Sequence, residues 1–170
     1  MNLVFDTYYF DHDKANTICL AFENWESAVP DYEFSEIKEG VEEYIPGQFY
    51  RRELPCILSL LEKVKIQIKD ISCIVIDGFV YVDDHMKPGL GKHLYDALDG
   101  EIPIIGVAKT NFATVESYKL ALKRGSSETP LYISSVGIEM ETAYDFIKKM
   151  HGEHRIPTLL KKVDTLTRQF

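Results

Sequence analysis

The segment Ser72–Gly78, SCIVIDG, constrains the fold more than any other part of the chain. Its apolar portion, Ser72–Ile76, is continuous rather than alternating, the mark of a strand covered on both faces in the middle of a sheet. The run stops abruptly at Asp77-Gly78. Ile102–Ala108 (IPIIGVA) repeats the pattern and stops at Lys109. In open α/β sheets, sites form at the carboxyl ends of such central strands, which directs attention to Asp77 and Lys109.

The remaining elements follow from periodicity and turn chemistry. Leu3–Phe10 and Asn16–Phe22 read as strands joined by the turn formers DHDK into a hairpin, and Tyr32–Ile37 adds a third strand. Leu54, Ile57, Leu58, Leu61 and Val64 recur at helical spacing. Pro55 belongs in a first turn, so this helix is predicted to start near Glu53. Gly89–Leu98 reads as a helix. Leu120–Lys123 and Leu131–Ser134 flank a turn, RGSSETP. Two helices close the chain. One lies around Ala143–Met150, with Ala143, Phe146, Ile147 and Met150 inward; the other runs from Thr158, predicted as its N-cap. Early hairpin strands followed by alternating helix and strand describe an α/β chain, one domain over residues 1–170, with a mixed sheet and helices on its faces.

Composition narrows the function classes. The chain has 170 residues, 45% hydrophobic and 27% charged, as in an ordinary globular protein. No apolar run approaches the roughly 20 residues that span a bilayer, so no membrane association is expected. The opening MNLVFDTYYFDHDK lacks a basic region and reads as a first strand rather than a signal peptide. Cys19, Cys56 and Cys73 lie in apolar segments and make no ligand pair, which suits a reducing cytoplasm. The net charge of −8 is the opposite of a general nucleic-acid coat, so binding polyphosphate would need a local basic face or a bridging metal.

Two acids stand out because their surroundings are apolar. Asp6 lies inside an aromatic strand and Asp77 ends a fully apolar one. Each is costly to bury alone, and two from neighbouring strands invite a hard cation such as Mg²⁺, which takes carboxylate, water and phosphate oxygens. Glu53, at the start of the first long helix, is the natural third ligand. Taken singly, each acid also has a plainer explanation as a turn residue, a helix-start charge or a partner of Arg51, Arg52 or Lys109. Their joint occurrence at element ends favours the metal.

Around these acids the chain resembles endonuclease V, a family with a ribonuclease H-like fold. YIPGQFYRRELPCIL (Tyr44–Leu58) is similar to the family's Tyr-Ile-Pro-Gly running into Arg-Glu-x-Pro, and CIVIDG (Cys73–Gly78) to its strand ending in Asp-Gly. GLGKHL (Gly89–Leu94) and IPIIGVAK (Ile102–Lys109) resemble two further family strings in the same order, and HRIP (His154–Pro157) a later one. The resemblance implies a nuclease dependent on Mg²⁺ or Mn²⁺ that recognises inosine in DNA or RNA. It would cut one phosphodiester beyond the lesion, leaving a 3′-hydroxyl and a 5′-phosphate. It assigns Asp6, Glu53 and Asp77 to the metal and Lys109 to the phosphate. Tyr44, Ile45 and Pro46 match a wedge that fills the gap left by an extruded base. Gly47, Gly78, Leu90 and Ala108 match positions around the base pocket.

The chain also departs from that pattern. Where the family reads Asp-Gly-His-Gly followed by His-Pro-Arg, this chain reads DGFVYVDDHMKPG, with Phe79 in place of the histidine and Asp83 and Asp84 adding negative charge. The family's late histidine near the metal falls at Val136 or Ile138. Glu139 or Glu141 could substitute there, although helix-start acids are more simply explained by the helix dipole. These departures support two competing readings: a nucleic-acid-binding protein of the same fold with impaired catalysis, or a nuclease for flaps and mismatched structures. No obligate protein partner is evident, and a monomer is expected. The five histidines show no zinc spacing, and GLGKHL lacks the spacing of a phosphate loop.

Overall fold

The computed structural model describes all of residues 1–170. Seven strands, β1 (Asn2–Phe10), β2 (Lys14–Phe22), β3 (Tyr32–Lys38), β4 (Cys73–Asp77), β5 (Ile104–Ala108), β6 (Leu120–Leu122) and β7 (Leu131–Val136), form one sheet in the order β3-β2-β1-β4-β5-β7-β6. The β1–β2–β3 meander is antiparallel, β1, β4 and β5 are mutually parallel, and β7 and β6 return antiparallel. This is the α/β mixed sheet expected, and the two apolar runs are its central strands.

Helices α1 (Tyr50–Lys63) and α2 (Leu90–Ala97) cover one face, and α3 (Met140–Lys149) and α4 (Thr158–Thr167) cover the other. The period-two alternation of strand side chains sorts the core accordingly. Leu3, Phe5, Ile74, Ile76 and Ile104 pack beneath α1 and α2 with Ile57, Leu60 and Leu94. Val4, Val75, Ile105 and Val107 pack beneath α3 and α4 with Ala143, Ile147, Leu160 and Val163. Phe146 is only half-buried, stacked on Trp25 with ring centroids 4.7 Å apart. No helix is long and apolar enough to cross a membrane.

Two predicted helix starts are corrected. Helix α1 begins at Tyr50, three residues before Glu53, so Pro55 sits inside the helix. The Tyr44–Gln48 turn, closed by Gln48 N donating to Ile45 O at 3.0 Å, leads straight into the bonds from Arg51 N to Gln48 O and Arg52 N to Phe49 O. Pro55 cannot donate to Arg51 O, but both residues lie on the exposed side, which leaves that carbonyl open to solvent. Thr158 is the first residue of α4 rather than its N-cap, a position taken by Pro157. Its hydroxyl is instead paired with His151 Nδ1 at 2.8 Å.

Candidate active site

The strand register brings the two isolated acids together. Phe5 pairs with Ile76 across β1 and β4, so Asp6 and Asp77 are the next residues along two adjacent parallel strands. Asp6 keeps the side of Val4 and Asp77 the side of Val75, the α4 face of the sheet. Asp77 is in register with Val107, and Lys109, two residues further on, shares that face. Its ammonium lies 3.3 Å from Asp77 Oδ2. Asp6, Asp77 and Lys109 line a small crevice closed by Ile156, Leu160 and Val163.

Asp6 is 8% exposed, and its one polar contact is the Thr7 N–H at 2.9 Å. Burial, and then the Asp77 charge, push its carboxyl up to about 6 despite that hydrogen bond. Glu53 enters from α1 on the opposite face, is 2% exposed, and leaves Oε1 buried with no hydrogen-bond partner. Burial together with the Asp6 and Asp77 charges holds its carboxyl well above the usual range. Burial draws the Lys109 ammonium down, but Asp77 and Asp6 more than offset it and the net shift is upward. The centre thus has a surplus of mutually repelling carboxylates, which a cation would relieve. No three His, Cys, Asp or Glu side chains stand together as a ready ligand set, and Asp77 is paired with Lys109.

Sequence reasoning missed Asp164. It lies on α4 beside Val163, and its charge acts on both Asp6 and Lys109. Lys161 at 3.6 Å and Arg168 at 3.3 Å partner it. The available signal was an acid next to the inward stripe Leu159, Leu160 and Val163. Glu139 and Glu141 are not near this centre. Val136 pairs with Ile104, at the far end of β5 from Lys109, and Glu141 occupies the first turn of α3, as the dipole explanation requires. Within HRIP, the Arg155 guanidinium donates to the carbonyls of Lys109, Thr129 (2.9 Å) and Pro130 (2.8 Å).

A second, larger cleft of about 490 Å³ reaches Gly78, the residue after Asp77. Tyr44, Gly47, Gly78 and Leu90 line it, with Phe49, Tyr50, Phe79 and Phe112. Ile45 and Pro46 continue the exposed turn from Tyr44 without lining the cleft, while Ala108 is buried within β5. Gly47 has φ +77° and Gly78 φ +130°, conformations that favour glycine. Asp83 and Asp84 do not act as loose surface charge. Asp83 accepts the N–H groups of His85 and Lys87, and Asp84 those of Glu116 and Ser117, both at 2.8 Å, tying two loops over the cleft.

The endonuclease V family model matches residues 4–165. An endonuclease V of Nostoc punctiforme is 31% identical over 144 residues, covering 72% of this chain and 62% of that protein. The chain therefore spans less than two thirds of the length of such a relative. The crystal structure of Ciona intestinalis endonuclease V, in complex with a 24mer DNA containing an inosine followed by a ribo-adenosine, superposes with a TM-score of 0.83 at 18% identity, covering 99% of this chain and 84% of that one. The catalytic domain of human endonuclease V gives 0.74 at 24% identity, covering 99% and 80%. These likenesses show that the sheet is ribonuclease H-like.

Proposed function

Because the chain belongs to the endonuclease V family, we propose that it is a metal-dependent endonuclease hydrolysing a phosphodiester near inosine in DNA or RNA. The observation that carries this reading is the placement of Asp6, in the middle of β1, beside Asp77, the last residue of β4, just past the point where the pairing of the two strands stops. The donor set suits Mg²⁺, or Mn²⁺ by the same oxygen chemistry: the carboxylates repel one another, and Glu53 Oε1 is buried without a partner. Asp6, Glu53 and Asp77 would hold the ion, with Asp164 adding negative charge around it. Bound there, the ion would activate water and neutralise charge on the scissile phosphate.

The chain's own residues divide the remaining work. Lys109 would hold a phosphate oxygen and the charge that develops on it. Tyr44, with Ile45 and Pro46, would fill the stack vacated by an extruded base. Gly47 and Gly78 keep the cleft wall free of side chains, and Leu90 gives it apolar surface; Ala108, buried in β5, would act on the base pocket only from behind this wall. All three cysteines are free and buried, which supports a reducing cytoplasm. The substrate strand is the only partner this reading requires, with the protein acting as a monomer.

A binding protein with impaired catalysis is the second reading, favoured by the net charge of −8 and by Phe79 in place of a histidine after Asp77-Gly78. Cleavage of matched oligonucleotides with and without one inosine, in Mg²⁺ and Mn²⁺, separates the two. The nuclease reading requires metal-dependent cleavage by the wild type that Asp77→Asn abolishes. Tight binding without cleavage in either metal would establish the second reading.

A further inference from the structure

Beside the first turns of α1, Tyr9 Oη and Glu53 Oε1 are both buried and both lack a hydrogen-bond partner. Buried polar atoms are nearly always paired, so each asks for an explanation. One is a hydroxyl that can donate, the other a carboxylate oxygen that can accept.

Tyr9 lies three residues beyond Asp6 on β1. By the alternation of the strand its ring is on the α1 face, with Leu3 and Phe5. There it meets the residues on either side of Glu53. The Arg52 guanidinium stacks on the ring, 3.7 Å from its centroid. The ring also packs on the small cluster of Ala15, Val41 and Cys56. Cys56 follows Glu53 by three residues on α1 and is buried with it, so the two share one side of the helix. Tyr9 therefore spans the turn of α1 that carries Glu53. Burial and then the Glu53 charge raise its phenol, so the hydroxyl keeps its proton and meets a carboxylate as a donor.

Other groups nearby are engaged. The Thr7 and Thr17 hydroxyls are paired with each other at 3.1 Å, and Cys56 Sγ donates to Arg52 O at 3.4 Å. Tyr8 is on the opposite face of the sheet, beneath the Arg168 guanidinium.

We propose that Tyr9 is a positioning residue for the metal centre, its hydroxyl donating to one oxygen of Glu53 while the other oxygen faces the divalent ion. This rests on the nuclease reading, in which Glu53 is an ion ligand, and adds the group that orients that ligand. A carboxylate on a metal is held in place by a hydrogen bond to the oxygen the metal does not use. Arg52 contributes by fixing the ring, and with it the direction of the hydroxyl. A packing role alone would be met by phenylalanine, which fills the same space without burying an unpaired hydroxyl.

The test is Mn²⁺ binding to the full chain without nucleic acid, measured by calorimetry for wild type, Tyr9→Phe and Tyr9→Leu, beside melting curves in chelator. Tyr9→Phe should melt in chelator no lower than wild type, because the hydroxyl it removes has no partner there. Its Mn²⁺ affinity should fall about 10- to 100-fold, the range for groups that hydrogen-bond a metal ligand. Added Mn²⁺ should accordingly raise its Tm less than that of wild type. Tyr9→Leu also removes the seat of Arg52, and should combine that loss of affinity with a lower Tm in chelator. Unchanged Mn²⁺ affinity in Tyr9→Phe would overturn the proposal, leaving Arg52 Nε, also buried without a partner, as the remaining donor for Glu53. A Tyr9→Phe that melts lower in chelator would overturn it too, since the hydroxyl would then serve the metal-free fold. Wild type that binds no Mn²⁺ would overturn the proposal and the nuclease reading together. Wild-type binding by Tyr9→Phe, alongside cleavage that Asp77→Asn abolishes, would overturn the proposal alone.

Discussion

Arg155 and Lys109 are joined through the backbone: the Arg155 guanidinium donates to the Lys109 carbonyl while also spanning Thr129 and Pro130. Arg155 is itself anchored. The buried Arg124 holds the carbonyls of Met150 and His154, each at 2.7 Å, and so fixes the loop that delivers it. The end of β5 is thereby clamped at the residue whose ammonium faces Asp77.

This makes Arg155 a positioning residue. Arg155→Lys keeps the charge but cannot span three carbonyls. It should lower kcat by about 10- to 100-fold with KM little changed, the cost expected for a small misplacement of a charge-stabilising group. Steady-state kinetics with a melting curve decide the matter: a lower Tm at unchanged kcat would reduce Arg155 to a structural pin.

The surplus of carboxylates should be visible in the stability of metal-free protein. Asp6 is raised from 3.8 to about 6, so the folded state binds its proton more tightly than the unfolded state does. Its stabilising contribution is complete below 3.8 and is lost as pH rises through about 6. Asp6→Asn should therefore stabilise the chelated protein at neutral pH, on the order of 2 kcal/mol or roughly 4–8 °C in Tm. The gain should shrink as the buffer is acidified towards the lower end of that window. A variant less stable than wild type at neutral pH would show that the repulsion is absent.

Asp164→Asn tests the acid supplied by α4. If its charge belongs to the metal centre, the variant should need about 10- to 100-fold more Mn²⁺ for half-maximal cleavage, the scale of loss seen for groups supporting a metal site. If Asp164 serves only Lys161 and Arg168, the replacement should cost no more than about 0.5 kcal/mol per helix pair and leave the Mn²⁺ titration unmoved.

How much of this was legible in sequence differs from one element to the next. The central strands were, because an apolar run ended by a charged residue fixes both burial and the position of the strand end. Once β1 and β4 pair in register, Asp6 and Asp77 must meet. The start of α1 was misread because Pro55 was weighed alone, whereas its exposed face makes the lost hydrogen bond cheap. Thr158 has the right chemistry for a cap, but His151, seven residues away, takes its hydroxyl. Asp164 was hidden in a helix read for its apolar stripe. The bonds that hold Val80, to Ser134, Gly89 and Lys92, depend on distances that no spacing rule supplies.

Tyr44 offers the clearest separation of wedge from scaffold. It is 57% exposed and lines the cleft a few residues before Glu53, so it is not a core residue. Tyr44→Ala should leave the melting temperature within about 1 °C, as expected for a surface site away from caps and cores. A wedge acts only when a base must be drawn out of a duplex, and extrusion costs a few kcal/mol. The variant should therefore lose roughly 5- to 150-fold in binding to duplex carrying inosine, the worth of one stacked aromatic, while single-stranded affinity changes far less. Affinities for the two forms, measured side by side in Ca²⁺, give the answer directly. Equal losses on both would make Tyr44 one more ring of the cleft, and no loss on duplex would remove it from the interface altogether.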